Sequence, residues 1–337
     1  MRFGVIGLNH NHVYSLVDLL LRAGATPATF HAPEADLAAR FADRYPQIAP
    51  APSEAAVLED TTTDLVVISG IPADRGPLGV RLMQHGKDVL SDKPGFTTLE
   101  QLQTARRVQA ETGRIYSICY SERLEVGAAV RAGELVRSGA VGRVVQTIGL
   151  GPHRINAPTR PAWFFVRERY GGILADIASH QIDQFLYFTG STEAEVVASQ
   201  VGNVAHPETP ELEDFGDVVL RGNGGLGYAR VDWFTPDGLG TWGDGRLTIL
   251  GTEGYIELRK YVDPAGRPGG NHLILVNGDG IQYIDCNQVD LPFGRQLVHD
   301  VIHRTETALP QAHCFLASQL ALEAEARATR VGYLRHD

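Results

Sequence analysis

The sequence has little cysteine, with three residues in 337. Cys119, Cys286 and Cys314 lie far apart in the chain and form no Cys-x-x-Cys pair. An odd number of scattered cysteines indicates neither a disulfide framework nor a zinc site. We therefore expect three buried thiols and a protein that works in the reducing cytoplasm.

Long apolar runs and an excess of basic residues are also missing. No stretch reaches the roughly 18 consecutive apolar residues of a membrane-spanning helix. Because the sequence opens on a predicted strand, we expect no export signal. The formal net charge of -10 argues against a nucleic-acid partner. With 43% hydrophobic and 21% charged residues, the composition is typical of a soluble globular protein, and its length allows two domains.

The first part of the chain alternates between strand and helix patterns. The pattern predicts strands at 2–7, 26–32, 64–70, 87–94 and 114–120, and helices at 12–23, 33–45, 76–86 and 98–113. Short links between strand and helix imply a doubly wound parallel sheet covered by helices on both faces. We expect this α/β domain to span residues 1–122, as a dinucleotide-binding unit.

After residue 122 the pattern changes to one of many strands and few helices. Helices are predicted at 124–138, near 174–189 and around 313–330, and strands at 144–150, 196–203, 214–222, 225–234, 246–252, 254–260, 272–277 and 281–286. The turns between these strands (NGG, PDG, TEG, NGDG) are those of hairpins. Residues 123–337 are therefore expected to form an α+β domain with a large, mostly antiparallel open sheet.

The stretch GLNHNH, residues 7–12, stands where a phosphate-binding turn would follow the first strand. Gly7 supplies the tight turn, but Asn9 and His12 occupy the two positions where a GxGxxG fingerprint has further glycines. Backbone N–H groups at the helix start would attract phosphate. The alternatives are simple turn residues or a metal held by His10 and His12. We expect no metal, since no cysteine or acidic residue adjoins the histidines in sequence.

The choice between NAD and NADP is open from the sequence. An acidic residue about 20 positions after the glycine turn normally binds the adenosine ribose. Here the second strand ends at His31, and Glu34 and Asp36 follow only afterwards.

Lys93 is the first candidate for chemistry. In VLSDKPGF it lies at the end of the predicted strand, at the edge of the sheet where ligands bind, and Pro94 keeps it out of a helix. The alternative is an ordinary solvated surface lysine.

A helix within GGILADIASHQIDQFLYFTG, residues 171–190, carries the second candidate set. Asp176, His180, Asp183 and Tyr187 are spaced by four, three and four, so they share one helical face. A carboxylate one turn before a histidine can orient the ring and favour its action as a general base. The alternative is the polar face of an amphipathic helix, and Asp183 is the member most readily explained by a structural pairing.

With these motifs the chain resembles the Gfo/Idh/MocA family, the group of glucose–fructose oxidoreductase and inositol dehydrogenase. The resemblance rests on the first turn, on Asp92-Lys93-Pro94, on the GG…D…H..D helix and on the GTEG strand pair at residues 251–254. It covers nearly the whole chain. It implies a Rossmann domain followed by a substrate domain, and hydride transfer between NAD or NADP and a secondary alcohol of a sugar, inositol or related polyol.

The resemblance also implies residue roles. His180 would be the general base, Lys93 would hold the reacting oxygen, and Asp176 would bind a neighbouring hydroxyl or orient His180. Apart from the resemblance, Trp163 is a candidate to stack on a sugar ring because it lies just before the helix of Asp176 and His180, and the alternative is a core or interface residue. The residues implied in cofactor binding are Gly7, Leu8, Asn9, His10, His12, His31, Ser69, Gly70, Pro72, Arg75, Asp92 and Lys93.

The chain departs from the family pattern at several points, and other functions remain open. Arg75 stands where the family often has a histidine, and Asp92 replaces a commoner glutamate. One alternative is an NAD-dependent glycoside hydrolase or lyase that oxidises its sugar transiently. Another is a nucleotide-sensing regulator without catalysis. The open sheet further predicts a homodimer or homotetramer.

Overall fold

The computed structural model describes residues 1–332. The chain divides into two compact units, which we treat separately. The first unit comprises Met1–Cys119, Glu168–Gly171 and Pro292–Phe315, and the second comprises Tyr120–Arg167, Gly172–Leu291 and the residues from Leu316 onward. This division differs from a single boundary at residue 122, because two later segments join the first unit.

Eleven α-helices and fifteen strands are assigned within the described residues. The helices are α1 His12–Arg22, α2 Ala35–Arg44, α3 Glu54–Glu59, α4 Pro72–Gln84, α5 Leu99–Thr112, α6 Ser121–Leu124, α7 Gly127–Arg137, α8 Arg167–Tyr170, α9 Ser179–Thr189, α10 Phe293–His303 and α11 Gln311–Arg327. The strands are β1 Arg2–Ile6, β2 Thr26–His31, β3 Ala49–Pro50, β4 Leu65–Ile68, β5 Asp88–Ser91, β6 Tyr116–Ile118, β7 Val144–Pro152, β8 Ala194–Gly202, β9 Phe215–Gly222, β10 Leu226–Asp232, β11 Arg246–Gly251, β12 Gly254–Arg259, β13 His272–Asn277, β14 Gly280–Asp285 and β15 Thr329–Arg330. A π-helical turn at Leu174–Ala178 precedes α9.

The sheet of the first unit is parallel, with strand order β3-β2-β1-β4-β5-β6. This order is doubly wound, which confirms the doubly wound parallel sheet predicted from the sequence. Strands β4 and β5 are buried along their whole length, as the apolar run of β4 predicts for that strand. The order reverses at β1 and β4, and in such sheets ligands bind beyond the carboxyl ends of the strands at that point.

Within residues 1–119 three elements differ from the prediction, and α10, in a later segment of the first unit, was not foreseen either. Strand β3 and helix α3 were not foreseen, because Pro46, Pro50 and Pro52 made that segment resemble a loop. Helix α4 begins at Pro72 rather than at residue 76. Its Gly76 leaves space for a close approach, since a Cβ there would lie 3.0 Å from Phe96 and from Gln101. Packing therefore outweighs the low helix propensity of glycine.

The second unit contains a nine-stranded sheet with the order β14-β13-β12-β11-β7-β10-β9-β8-β15. It is mostly antiparallel, as predicted, but β10 pairs with β7 in parallel and β15 with β8 in parallel. One face of the sheet receives α9. Glycines at 149 and 151 leave room there for Gln181, because a Cβ at either position would lie within 3 Å of that side chain.

The described helices include none that is long and apolar enough to cross a membrane.

Candidate functional site

The turn after β1 joins three strand ends of the first unit. Gly7 has a φ of +80°, and a Cβ on it would lie 2.7 Å from the backbone of Gly70, so only glycine fits. The Gly7 N–H donates to the carbonyl of His31 at 3.0 Å, and the His10 N–H donates to the carbonyl of Ser69 at 3.0 Å. The carboxyl ends of β1, β2 and β4 are therefore held together by backbone hydrogen bonds.

Helix α1 starts directly after this turn and has an N-terminus without a side-chain cap. Asn11 at its N-cap makes no capping hydrogen bond, and the first turn contains no acidic residue. The leading N–H groups and the positive end of the helix dipole thus suit an anion. Together with the tight turn at Gly7, this geometry fits the pyrophosphate of a dinucleotide.

Asn9 takes part in a contact that the sequence did not reveal. Its side-chain amide donates to Oε1 of Glu34 at 2.8 Å, and Oε2 of Glu34 is buried without a hydrogen-bond partner. Glu34 is the N-cap residue of α2, three positions beyond the end of β2. The structure therefore brings an acidic group to the turn, where sequence spacing left the ribose-binding position open. At the tip of β2, His31 instead faces the carbonyl of Ala51 at 3.4 Å.

Asp92, after β5, is the centre of an ionic cluster that we call the Asp92 cluster. His10 Nδ1 lies 2.8 Å and His12 Nδ1 2.9 Å from its carboxylate oxygens. Arg75 lies 3.1 Å away, and the Ser69 hydroxyl donates at 3.1 Å. Burial opposes the charge of Asp92, but Arg75 and the two histidines hold its pKa well below the usual range. Burial lowers the pKa of His10 to about 4, despite the opposing charge of Asp92.

The same cluster bears on the possibility of a metal. The ligand atoms of His10, His12 and Asp92 lie within 4.8 Å of one another, so these three residues could hold a metal ion. The argument that no acidic group adjoins the histidines was therefore wrong, because Asp92 comes from a distant strand. However, Arg75 contacts the same carboxylate and supplies positive charge where a divalent cation would have to bind. The absence of a metal stays a prediction.

Arg75 and Lys93 are both buried in the first unit. Arg75 donates to the carbonyls of Gly70 at 2.9 Å and of Lys93 at 2.6 Å, and so ties together the loops after β4 and β5. Lys93 is 4% exposed, which excludes the interpretation as a solvated surface lysine. Pro72 begins α4. Leu8, in the first turn, is buried as well.

In the second unit, Asp176 and His180 lie on the segment that enters α9. The predicted continuous helix is in fact a π-helical turn followed by α9. A π-turn is rare and is found mostly at functional sites. Asp176 is 8% and His180 2% exposed, so the interpretation as a solvated polar face is wrong. The Tyr120 ring meets the His180 ring edge-on, with centroids 6.4 Å apart.

A second ionic group, which we call the Glu122 cluster, lies beside His180. Lys260 Nζ donates to Oε2 of Glu122 at 2.6 Å, and the amide of Gln181 donates to the same oxygen at 2.9 Å. Burial alone would raise the pKa of Glu122, but Lys260, His180 and His153 lower it to about 2. Sequence analysis missed this cluster, because Glu122 and Lys260 are 138 positions apart.

Asp183 and Tyr187 belong to a separate structural contact. Arg123 donates to both oxygens of Asp183, at 2.7 and 2.8 Å, and its guanidinium lies 4.5 Å from the centroid of the Tyr187 ring. Asp183 is fully buried. This bidentate pair agrees with the expectation that Asp183 has a structural role.

The segment before α8 contains aromatic residues and Arg160, which lies near Asp176. Trp163 is half-buried, with its ring centroid 6.2 Å from that of Phe164. Arg160 packs over Phe164 at 4.4 Å. Burial lowers the pKa of Arg160, and the charge of Asp176 opposes that shift, so Asp176 has a cationic neighbour.

Comparison with known proteins identifies both parts of the chain. Residues 1–120 match the model described as an oxidoreductase family with an NAD-binding Rossmann fold, and residues 129–257 match the GFO/IDH/MocA C-terminal domain. A crystal structure from Erwinia carotovora atroseptica SCRI1043, assigned only as an oxidoreductase, is 48% identical. It covers 98% of this chain and 99% of its own, with a TM-score of 0.96.

More distant relatives have named activities. The scyllo-inositol 2-dehydrogenase (NAD(+)) of Bacillus subtilis is 27% identical over 59% of this chain and 56% of its own, so the chain spans about half the length of this relative. Levoglucosan dehydrogenase, solved with NADH and levoglucosan, has the same fold. It is 20% identical, with a TM-score of 0.78 over 97% of this chain and 95% of its own. The chain belongs to the GFO/IDH/MocA family of oxidoreductases, and its residues 1–120 are the family's NAD-binding Rossmann domain.

Proposed function

We propose that the protein is an NAD(P)-dependent dehydrogenase that acts on a secondary alcohol of a sugar, inositol or related polyol. The observation that carries this proposal is the burial of three ionisable side chains, since Lys93, Asp176 and His180 are at most 8% exposed. Ionisable groups are seldom buried without a structural or functional reason. The inositol and levoglucosan dehydrogenases among the relatives support this substrate class.

When bound, a nicotinamide dinucleotide would supply the hydride acceptor for this chemistry. His180 takes the proton of the substrate hydroxyl as general base. Lys93 places positive charge where alkoxide character develops on the reacting oxygen. Asp176 binds a neighbouring hydroxyl or orients His180. The charge of Glu122, which interacts with that of His180, stabilises the imidazolium that forms when the proton arrives.

The first unit would hold the dinucleotide through the turn of Gly7, Leu8 and Asn9 and the start of α1. Residues Ser69, Gly70 and Pro72 after β4 line the same edge of the sheet. Glu34 would accept a hydroxyl of the adenosine ribose, through the oxygen that has no partner in the protein. Because a carboxylate repels a 2′-phosphate, we propose a preference for NAD over NADP.

The test is turnover of a polyol and sugar panel by the wild type and by Lys93→Ala and His180→Ala, with NADH binding measured on the same preparations. We expect either substitution to lower kcat by about a thousandfold. In His180→Ala, the Kd of NADH should change less than fivefold. His299→Ala, at a half-exposed histidine, is the control and retains activity. Full turnover in both variants would contradict the roles of Lys93 and His180.

The same panel separates the alternative functions. A transient-oxidation hydrolase or lyase would cleave glycosides without net formation of NADH, and a regulator would bind dinucleotide without any turnover.

We further propose a homodimer or homotetramer built on the open face of the nine-stranded sheet. Large apolar side chains are exposed along the strands of this sheet, namely Ile148, Val197, Val219, Leu226, Leu250, Tyr255, Ile281 and Tyr283. A patch of this extent is typical of an interface. A monomeric mass from size-exclusion chromatography with light scattering would contradict this assembly. The three cysteines are buried, which suits the cytoplasm that we propose as the protein's location.

A further inference from the structure

Two carboxyl groups bind the start of the segment that carries Asp176 and His180. The N–H of Ile173 donates to Oε2 of Glu213 at 3.0 Å, and the N–H of Leu174 donates to Oε2 of Glu325 at 2.9 Å. Glu213 precedes β9 and Glu325 lies on α11, so both come from outside the segment. These bonds occupy two of the first donors of a helix, which have no acceptors within the helix itself.

The other oxygens of the two carboxyl groups face arginine. Arg167 donates to Oε1 of Glu213 at 3.2 Å and to Oε1 of Glu325 at 2.8 Å, and Arg330 donates to Glu213 at 3.3 Å. The glutamate side chains are 1% and 4% exposed, whereas those of Arg167 and Arg330 are 29% and 70% exposed. The two arginines thus close a buried pair of acids from the solvent side.

Burial, followed by the nearby charge of Glu213, raises the pKa of Glu325 to about 8. Arg167 opposes this shift, and a hydrogen bond between the two carboxyl groups adds to it. At neutral pH Glu325 therefore retains its proton and can share it with Glu213. This proton lets two acids remain in contact with each other and with the backbone.

Two glycines allow close packing around the start of this segment. Gly172 has a φ of +96°, and a Cβ on it would lie 2.2 Å from the carboxyl carbon of Glu325. On β9, a Cβ at Gly216 would lie within 3 Å of the side chains of Ile173 and Leu174. Glycines at these two positions let the segment lie between an acid on one side and a strand on the other.

The π-helical turn begins at Leu174, directly at this contact. An isolated π-turn is unfavourable on its own, so its persistence requires support from the surrounding structure. We propose that Glu213 and Glu325 form a carboxyl clamp, which fixes the first turn of this segment and makes them positioning residues for His180. The inference rests on the function proposed above for His180.

The test compares three variants of α11 in the full-length protein. Glu325→Leu removes the acceptor, Glu325→Gln keeps a neutral hydrogen-bonding group, and Glu323→Gln changes a partly buried neighbour on the same helix. We expect Glu325→Leu to lower kcat at least tenfold, with the KM for NAD changed less than threefold. Glu325→Gln should recover most of the loss at pH 7, and Glu323→Gln should match the wild type.

Two further readouts do not depend on turnover. Amide hydrogen exchange in residues 172–180 should be at least tenfold faster in Glu325→Leu and unchanged in Glu323→Gln. Because the folded pKa of Glu325 exceeds the ordinary 4.5, its stabilising contribution is complete below that value and is lost as the pH rises through about 8. The melting temperature of the wild type should therefore fall more between pH 5 and 8 than that of Glu325→Gln. The charged groups facing Glu325 in this comparison are Glu213 and Arg167, with Arg330 beyond Glu213.

Unchanged exchange in Glu325→Leu would overturn the clamp, whatever the activity. Faster exchange with unchanged kcat would retain the contact but overturn its role in positioning His180. Faster exchange in a protein whose wild type oxidises no alcohol would mean that the proposed dehydrogenase function fails, and with it the positioning role, while the clamp itself stands.

Discussion

The Asp92 cluster of the first unit and the Glu122 cluster of the second each gather ionisable groups around one buried carboxylate, but in different ways. Asp92 faces Arg75, His10 and His12, and the histidine side chains are 21% and 42% exposed. Glu122 is paired with a lysine that is fully buried. The first arrangement pairs Asp92 with the buried Arg75 but leaves two imidazoles partly exposed at a turn, whereas the second encloses both Glu122 and Lys260 completely.

The difference indicates different tasks. A half-exposed set of donors next to a helix N-terminus can adapt to an anionic ligand. A fully buried ion pair resists displacement, because separating its partners would leave an unpaired charge in a medium of low dielectric. We therefore assign the Asp92 cluster to binding and the Glu122 cluster to fixing the environment of His180.

The largest expected effect comes from breaking the buried pair of the second unit. Lys260→Met should lower the free energy of unfolding by about 3–5 kcal/mol, because it leaves Glu122 buried without a cation. Denaturant unfolding measures the loss. Glu122→Gln with Lys260→Met should recover much of it. The control is Arg107→Ala in an exposed pair, which should cost less than about 1 kcal/mol. A loss of stability in Lys260→Met as small as that in Arg107→Ala would contradict the contrast between the two clusters.

Substitution of Asp92 tests the cluster of the first unit. Asp92→Asn should cost about 1–3 kcal/mol of stability at pH 7, because the buried Arg75 loses its charged partner, and it should weaken NADH binding about tenfold. Since the folded pKa of Asp92 is depressed, its contribution is present above the ordinary pKa of an aspartate and is lost as the pH falls through the folded value. The stability difference should therefore shrink in acid. A difference that is constant from pH 7 to 3 would contradict this role.

Glu34 gives a smaller and more specific effect. In Glu34→Gln, the loss of negative charge should narrow the preference for NADH over NADPH by about tenfold, since a 2′-phosphate is no longer repelled. Parallel fluorescence titrations with the two dinucleotides measure it. Asp36→Asn, at an exposed acid two positions on, should leave the ratio unchanged. Equal ratios in the wild type and Glu34→Gln would place the ribose contact elsewhere.

The smallest expected effect is that of metal removal. Dialysis against a chelator should change neither the NADH affinity nor the melting temperature by a measurable amount, because Arg75 supplies the positive charge beside Asp92. A drop in melting temperature that zinc restores would show that His10, His12 and Asp92 hold a metal.

The sequence predicted the architecture well because hydrophobic period and turn residues are local signals. The doubly wound sheet, the mostly antiparallel sheet and the region of the helix with Asp176 and His180 all follow from such patterns. The π-turn could not be foreseen, because residues 174–178 have ordinary helical composition, and its position next to the contacts of Glu213 and Glu325 is set by distant elements.

Contacts between distant segments account for the other differences. In the sequence, His10 and Asp92 are 82 positions apart, and Glu122 and Lys260 are 138 positions apart. The sequence analysis also gave Glu34 no role. Asn9, which stands where the fingerprint has its second glycine, is the residue of the turn that Glu34 contacts. Pairing of buried charges leaves no periodic signature, so a single sequence could not reveal these partners.

The most direct test of the central claim is a titration of cofactor-free wild type and His180→Ala with NADH, followed by an alcohol-oxidation assay on both. The account predicts saturable binding with Kd values within fivefold of each other, and turnover by the wild type alone. Absence of binding in the wild type would contradict the assignment of the GLNHNH turn. Equal turnover in His180→Ala would contradict the assignment of the base.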